Sequence, residues 1–167
     1  IVKENPTLYA ALVGRAARAI SRRLAATDAT MVGRGRRLGF AGAATRTEKD
    51  LLGSREIPYD ALYGIQTPRA VDNFPISGLR AHHDLVTATV QVKKAAARAN
   101  AALGRLAADT ARAIVTAADE VLAGAWRDQF VVDVYQAGAG TSHNMNANEV
   151  LANRAAEILG GPRGTYH

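Results

Sequence analysis

Three prolines and three glycines (Pro58, Pro68, Pro75; Gly53, Gly64, Gly78) interrupt residues 46–78, and nothing comparable interrupts the chain after Asp84. Proline lacks a backbone donor and fixes its own φ, so a stretch broken this often cannot carry long elements. Short strands around Arg55–Ile57 and one helical stretch near Pro68–Asn73 are the most it can support. From Asp84 the pattern turns helical: Leu85, Ala88, Val92, Ala95, Ala96 and Ala99 keep one apolar face up to about Leu103. Leu106 to Leu122 repeats it with Ile114, Val115, Ala118 and Val121, and Gly104 and Gly124 punctuate the two helices. Phe130 to Val134 is a short apolar run. A third helix is expected from about Asn146 to Leu159, stopped by Gly160-Gly161-Pro162. The predicted fold is therefore mainly α, with short strands or loops confined to 46–78.

Composition agrees: 48% of the 167 residues are hydrophobic but only 5% aromatic, which suits helices packed through alanine and aliphatic side chains. There is no cysteine, so neither a disulfide framework nor a thiolate metal site is expected. No apolar run approaches the roughly 20 residues of a membrane span. The net charge of +6 invites a nucleic-acid reading, but it is not spread over the chain. Residues 1–45 hold eight basic and two acidic side chains, and the other 122 hold thirteen of each. Beyond residue 45 the chain has no electrostatic footprint for a polyanion. Neither nucleic acid nor membrane is an expected partner.

Residues 1–45 read as a separate piece. Asn5-Pro6 starts a helix expected over 6–25, and the Gly-, Ala-, Thr- and Arg-rich stretch 26–45 has the aperiodic character of a linker. An Arg-rich, acid-poor composition is shared with organelle transit peptides. Misassigned upstream coding sequence or the tail of another domain would read the same way.

The chemistry concentrates in Gln136-Ala-Gly-Ala-Gly-Thr-Ser-His-Asn-Met-Asn-Ala-Asn-Glu149. Gly138 and Gly140 form a turn, and Thr141, Ser142, Asn144, Asn146 and Asn148 follow within eight positions before the apolar helical run of Val150, Leu151, Ala155, Ile158 and Leu159. Two readings fit. One of Thr141, Ser142 or Asn144 is simply the helix N-cap. Alternatively, the free N–H groups of the helix start, its dipole and several side-chain donors converge on a small anion with several oxygens.

Residues Gln136 to Gly160 resemble the first signature block of the aspartase/fumarase superfamily. Two earlier blocks agree in order and spacing: Arg46-Thr-Glu-Lys-Asp-Leu-Leu-Gly53, and Ile57-Pro-Tyr-Asp-Ala-Leu-Tyr-Gly-Ile-Gln-Thr67 with Arg69-Ala70 and Asn73-Phe-Pro-Ile-Ser-Gly78. The resemblance runs from about Arg46 to His167 and leaves 1–45 outside. Within the superfamily, Tyr63-Gly64-Ile65 after Leu62 replaces the Tyr-Trp-Gly-Ala run usual in fumarases. Val132-Asp-Val-Tyr-Gln-Ala-Gly-Ala-Gly140 is similar to aspartases. Ala137 stands where Gly is commoner, and His143 occupies a variable position.

The resemblance implies the N-terminal domain of the superfamily's fold over 46–140, with 141–167 opening the central helical-bundle domain. It implies an ammonia-lyase acting on a small dicarboxylate, L-aspartate or fumarate, in a cytoplasmic homotetramer whose active sites draw on three subunits, without a cofactor or metal. It places Thr141 on a substrate carboxylate, with Ser142 and Asn144 shaping the same pocket. No catalytic residue is expected in this chain. The family's proton-abstracting Ser lies on a Met-Pro-x-Lys-x-Asn-Pro loop, and no such pattern occurs here. The chain alone is therefore expected to be inactive. The same portion of a fumarase or related lyase, and a non-catalytic interaction module, are the competing readings.

Other candidates have plainer expectations. His82-His83-Asp84 suggests a metal but has no third ligand at suitable spacing, and reads rather as a solvated helix entrance. Lys93-Lys94 reads as a solvated helix face, with the steering of an anionic substrate as the alternative. Asp119-Glu120 reads as a surface pair. Trp126 reads as a packing anchor near the turn, and Gln136 as a residue supporting the site from behind or a satisfied core amide.

Overall fold

In the computed structural model, residues 44–165 are described; the helix expected over 6–25 and all but the last two residues of the linker expected over 26–45 lie outside them, and Thr45, the last of these, already belongs to a strand. The chain opens with an antiparallel hairpin, β1 (Thr45–Asp50) and β2 (Gly53–Pro58), in register from Thr45 opposite Pro58 to Asp50 opposite Gly53. Four α-helices follow: α1 (Gln66–Asn73), α2 (His83–Ala102), α3 (Ala108–Leu122) and α4 (Thr141–Ile158). A 3₁₀ turn at Arg127–Gln129 lies between the last two. The expected helix-rich architecture with short strands is what forms. The strands expected near Arg55–Ile57 are a complete hairpin.

Helices α2, α3 and α4 pack on one another, and α1 packs on α4. Their shared core contains Leu62, Val86, Val90, Ala117, Ala118, Val121, Phe130, Ala147, Val150 and Leu151. Small residues let α3 approach its neighbours closely; Ala117 and Ala118 are completely buried. A second, smaller cluster of Ile57, Ala61 and Ile65 sits under the hairpin.

The structure corrects the expected packing of α2. The stripe Leu85, Ala88, Val92, Ala95, Ala96 and Ala99 faces solvent, and Val86, Val90 and Ala97 supply the buried side. In an alanine-rich helix more than one face is apolar, so periodicity identifies the helix without choosing the face it buries. Leu85, Val92 and Ala99 repeat at seven, as do Ala88 and Ala95, which is the spacing of a helix that meets another helix along its length.

The segment 58–67, which turns the chain from the hairpin into α1, has little regular structure, yet four charged side chains bind its backbone; one of them, Arg163, donates through Nη1 to Tyr59 O at 2.9 Å. Arg46 Nη1 donates to the carbonyls of Pro58 (2.8 Å), Tyr59 (3.2 Å) and Ala61 (2.8 Å), and Nη2 donates to Tyr63 O at 2.8 Å. Glu48 accepts from Ile65 N at 2.8 Å and from Arg46 Nε at 2.9 Å. Glu149, reaching across from α4, accepts from Gly64 N (3.0 Å), Gln66 N (2.7 Å), Thr67 N (3.0 Å) and Thr67 Oγ1 (2.6 Å). The first helical positions of α1 are thus satisfied from outside, and Pro68, which follows, has no N–H to satisfy. A carboxylate at this end of a helix also meets the positive pole of its dipole. Below the turn, Arg69 holds Asp50 through Nε and Nη2, both at 2.9 Å. Burial pushes the Asp50 carboxyl up, but Arg69, Leu52 N and Gln66 hold it below its usual value.

Gly64 lies where the two carboxylates converge. A Cβ there would stand 2.9 Å from a Glu149 oxygen and 2.9 Å from a Glu48 oxygen. Both oxygens belong to side chains fixed by hydrogen bonds, so neither swings aside without losing donors. Gly64→Ala is expected to destabilise the protein by ~1–3 kcal/mol, as overpacking does. A urea-unfolding midpoint equal to that of the parent would show that the carboxylates are free to give way.

Candidate active site

Helix α4 begins at Thr141, five residues earlier than its hydrophobic pattern indicates. Gly140 takes the left-handed conformation (φ 70°) that turns the chain into the helix, a region open to glycine at little cost. Asn is a weak helix former, but here tertiary partners override propensity. Asn146 Nδ2 donates to Gln129 O (2.9 Å) and its Oδ1 accepts from Val131 N (3.0 Å), so the amide is satisfied inside the helix. One turn and then another further on, Glu149 and Asn153 also point at backbone. Asn153 Nδ2 donates to Leu62 O (2.8 Å), and its Oδ1 accepts from Gly164 N (2.7 Å).

None of Thr141, Ser142 or Asn144 is the N-cap; Gly140 occupies that position and makes no side-chain cap. Gln136 Oε1 accepts from His143 N at 2.7 Å and does the capping from within the turn. Thr141 is exposed, Ser142 is buried, and Asn144 is half-buried. Among the described residues, the Thr141 and Ser142 hydroxyls, their backbone N–H groups and the Asn144 Nδ2 have no hydrogen-bond partner. Thr141 and Asn144, three positions apart on a helix, share a face. The first turn of α4 therefore presents unpaired donors, of the kind that hold a carboxylate at a helix N-terminus.

Two neighbours orient this turn. Lys93 on α2 donates through Nζ to Asn144 Oδ1 at 2.5 Å. Lys94 forms an ion pair with Asp119. The pair expected to be a solvated face is thus split between two partners. The His143 ring lies 3.0 Å from Thr89 Oγ1 through Nε2. That hydroxyl already donates to Leu85 O at 2.8 Å, so the imidazole supplies the proton and Nε2 is the protonated nitrogen. Burial lowers the His143 pKa and favours its neutral form.

The approach to the turn is fixed by Asp133. Its carboxylate accepts from Ser77 N (2.7 Å), Ser77 Oγ (2.8 Å), Gly78 N (2.7 Å) and Tyr135 N (2.8 Å). This ties 77–78 to the residues just before Gln136. Burial pushes the Asp133 carboxyl up, but these donors more than offset it and hold it at about 2. Trp126 behaves as the expected anchor: its Nε1 donates to Glu120 at 2.8 Å, and the Arg154 guanidinium lies over its ring. Glu120 is more than a surface residue, since Arg154 grips it at 2.6 and 2.8 Å. His82 caps α2, its Nδ1 accepting from Asp84 N at 3.3 Å.

Residues 53–167 match a family model described as lyase. The chain belongs to the lyase family. Among curated relatives, an aspartate ammonia-lyase from a Bacillus species is 57% identical over 121 residues, covering 72% of this chain and 26% of that protein. A class II fumarate hydratase from Halobacterium salinarum is 60% identical over 115 residues, covering 69% and 24%. Among solved structures, a Brucella melitensis protein described as fumarate lyase:delta crystallin, bound to cobalt, superimposes with a TM-score of 0.72 at 57% identity over 74% of this chain and 27% of that one. A class II fumarase from Schistosoma mansoni gives 0.71 at 35% identity, with the same coverage. The chain spans about a quarter of the length of the curated relatives it matches. The resemblance to the aspartase/fumarase superfamily is thereby established, and both branches match this lyase segment closely.

The Asp133 clamp makes a pH-dependent expectation. A carboxyl held at about 2 against an ordinary 3.8 stabilises the fold fully above 3.8, and that contribution is lost as pH falls through about 2. Asp133→Asn is expected to lower the thermal midpoint most near neutrality, with the gap from the parent closing between about pH 4 and pH 2. A gap that does not change with pH would mean that the ionised form carries no advantage.

Proposed function

We propose that this chain is the N-terminal portion of an aspartate ammonia-lyase, which converts L-aspartate reversibly to fumarate and ammonia. The complete enzyme is a cytoplasmic homotetramer. The observation that carries this reading is the set of unpaired donors at Thr141, Ser142 and Asn144 on the first turn of α4. Deamination begins by removing a proton from the carbon beside a carboxylate, and the resulting charge spreads into a group that is already negative. Fixed donors aimed at that carboxylate lower the barrier because they need no reorganisation as the charge grows. In this reading Thr141 binds the carboxylate, and Ser142 and Asn144 shape the same pocket. Residues 46–140 form the N-terminal lyase domain, and Thr141 onward opens the central helical domain. The exposed stripe on α2 supports an assembly of helices, since its seven-residue spacing suits a helical partner.

A second reading, a fumarate hydratase adding water to fumarate, draws on the 60% identity to the Halobacterium protein. Against it stands the Leu62-Tyr63-Gly64-Ile65 sequence, which lacks the tryptophan usual in fumarases. Assaying the complete gene product on L-aspartate and on L-malate separates the two. The 167-residue chain contains no Met-Pro-x-Lys-x-Asn-Pro pattern. Purified alone it is expected to release no ammonia from aspartate, and measurable release would contradict the assignment of the base to that loop.

Thr141 gives the sharper test in the complete enzyme. Thr141→Ala is expected to leave the fold intact and reduce kcat/KM by ~100-fold or more, the usual effect of deleting a donor to developing charge. Thr141→Ser keeps the hydroxyl and is expected to be far milder. Equal, small effects from both would remove Thr141 from the site.

A further inference from the structure

Lysine has three donors and no acceptor, so the group it meets must offer a lone pair. The 2.5 Å contact from Lys93 Nζ therefore settles which end of the Asn144 amide faces α2: it is Oδ1. The other end, Nδ2, carries two N–H donors that meet no acceptor among the described residues. An amide free to flip would present oxygen and nitrogen to a ligand in turn, and the oxygen would repel a carboxylate. Lys93 removes that choice.

The surroundings make Lys93 suited to the task. It is half-buried on α2, four positions from Thr89, and these two residues meet consecutive residues of α4, Asn144 and His143. The neutral His143 ring adds no competing cation, and the neighbouring Lys94 is taken up by Asp119. The Lys93 side chain lies next to the first turn of α4, whose dipole is positive at that end. Two like poles side by side without a counter-anion cost free energy, and a bound carboxylate relieves both.

We propose that Lys93 is a positioning residue for the substrate. By holding Asn144 Oδ1 it turns Nδ2 toward the carboxylate bound at Thr141, and its charge completes a pocket selective for a dianion. This rests on the lyase function proposed above and names a residue that function does not itself require.

The test uses the complete enzyme and whichever of L-aspartate or L-malate it turns over. Lys93→Met keeps the aliphatic stem and removes the charged donor. It is expected to raise KM ~10-fold or more while kcat changes less than ~3-fold and the thermal midpoint stays at the parental value. Lys93→Arg, which can still donate to Oδ1, is expected to recover most of the lost affinity. Asn144→Asp, which places a carboxylate where the amide stood, is expected to weaken binding more than Lys93→Met does. An unchanged KM in Lys93→Met overturns the proposal. So does a lowered thermal midpoint with no rescue by Lys93→Arg, which would make Lys93 a support of the fold. A parent enzyme active on neither substrate would instead overturn the lyase reading, and the role of Lys93 with it.

Discussion

The buried carboxylates Glu48 and Glu149 and the half-buried Arg46 hold the turn between hairpin and helix, and most of the molecule's geometry follows from them. A turn that leaves regular structure must find partners for its carbonyls and its N–H groups. Here the two kinds are sorted: Arg46 collects four carbonyls, while Glu48 and Glu149 collect the N–H groups of residues 64–67. Burying a charge without such partners is costly, and with them it fixes one conformation. Burial still holds the Glu149 carboxyl above its usual value, although four donors pull it down. Gly64 is what lets both carboxylates approach the same point on the chain.

Because Glu149 sits on α4, the same contacts also fix the helix that begins at Thr141. Asn146, Glu149 and Asn153 form a polar edge bound to loops, and Ala147, Val150 and Leu151 enter the core. Such a helix has little freedom to roll or slide. Its first turn is held further by Gln136 from the glycine turn, and by Thr89 and Lys93 from α2. The donors left unpaired there are thus held in fixed positions.

The sequence announced some of this and concealed the rest for physical reasons. Helices α2 and α3 were legible because periodicity and flanking glycines are local signals. The buried face of α2 was not, since alanine satisfies either side. The start of α4 was missed because Asn146 is helical only by virtue of its bonds to Gln129 and Val131. Thr141, Ser142 and Asn144 stood out as a cluster of polar residues behind a glycine turn. Lys93 was legible only as a cation that could steer an anion or sit on a solvated face, because a lysine on a helix looks the same whether it faces water or an amide 51 positions away. Glu149 was hidden for the same reason. Its partners lie 82 to 85 residues back, a separation that leaves no periodic trace.

That separation also orders events in time. Gly64, Gln66 and Thr67 leave the ribosome long before their acceptor exists. At roughly 5–20 residues per second, Glu149 is added ~4–17 s after Gly64. Until then the N–H groups of Gly64, Gln66 and Thr67 must be hydrated. The hairpin is able to zip up at once, but the first helix waits for the last one. During synthesis the segment therefore passes through a stage in which the hairpin is complete and the Glu149 contacts to the turn are still to be made.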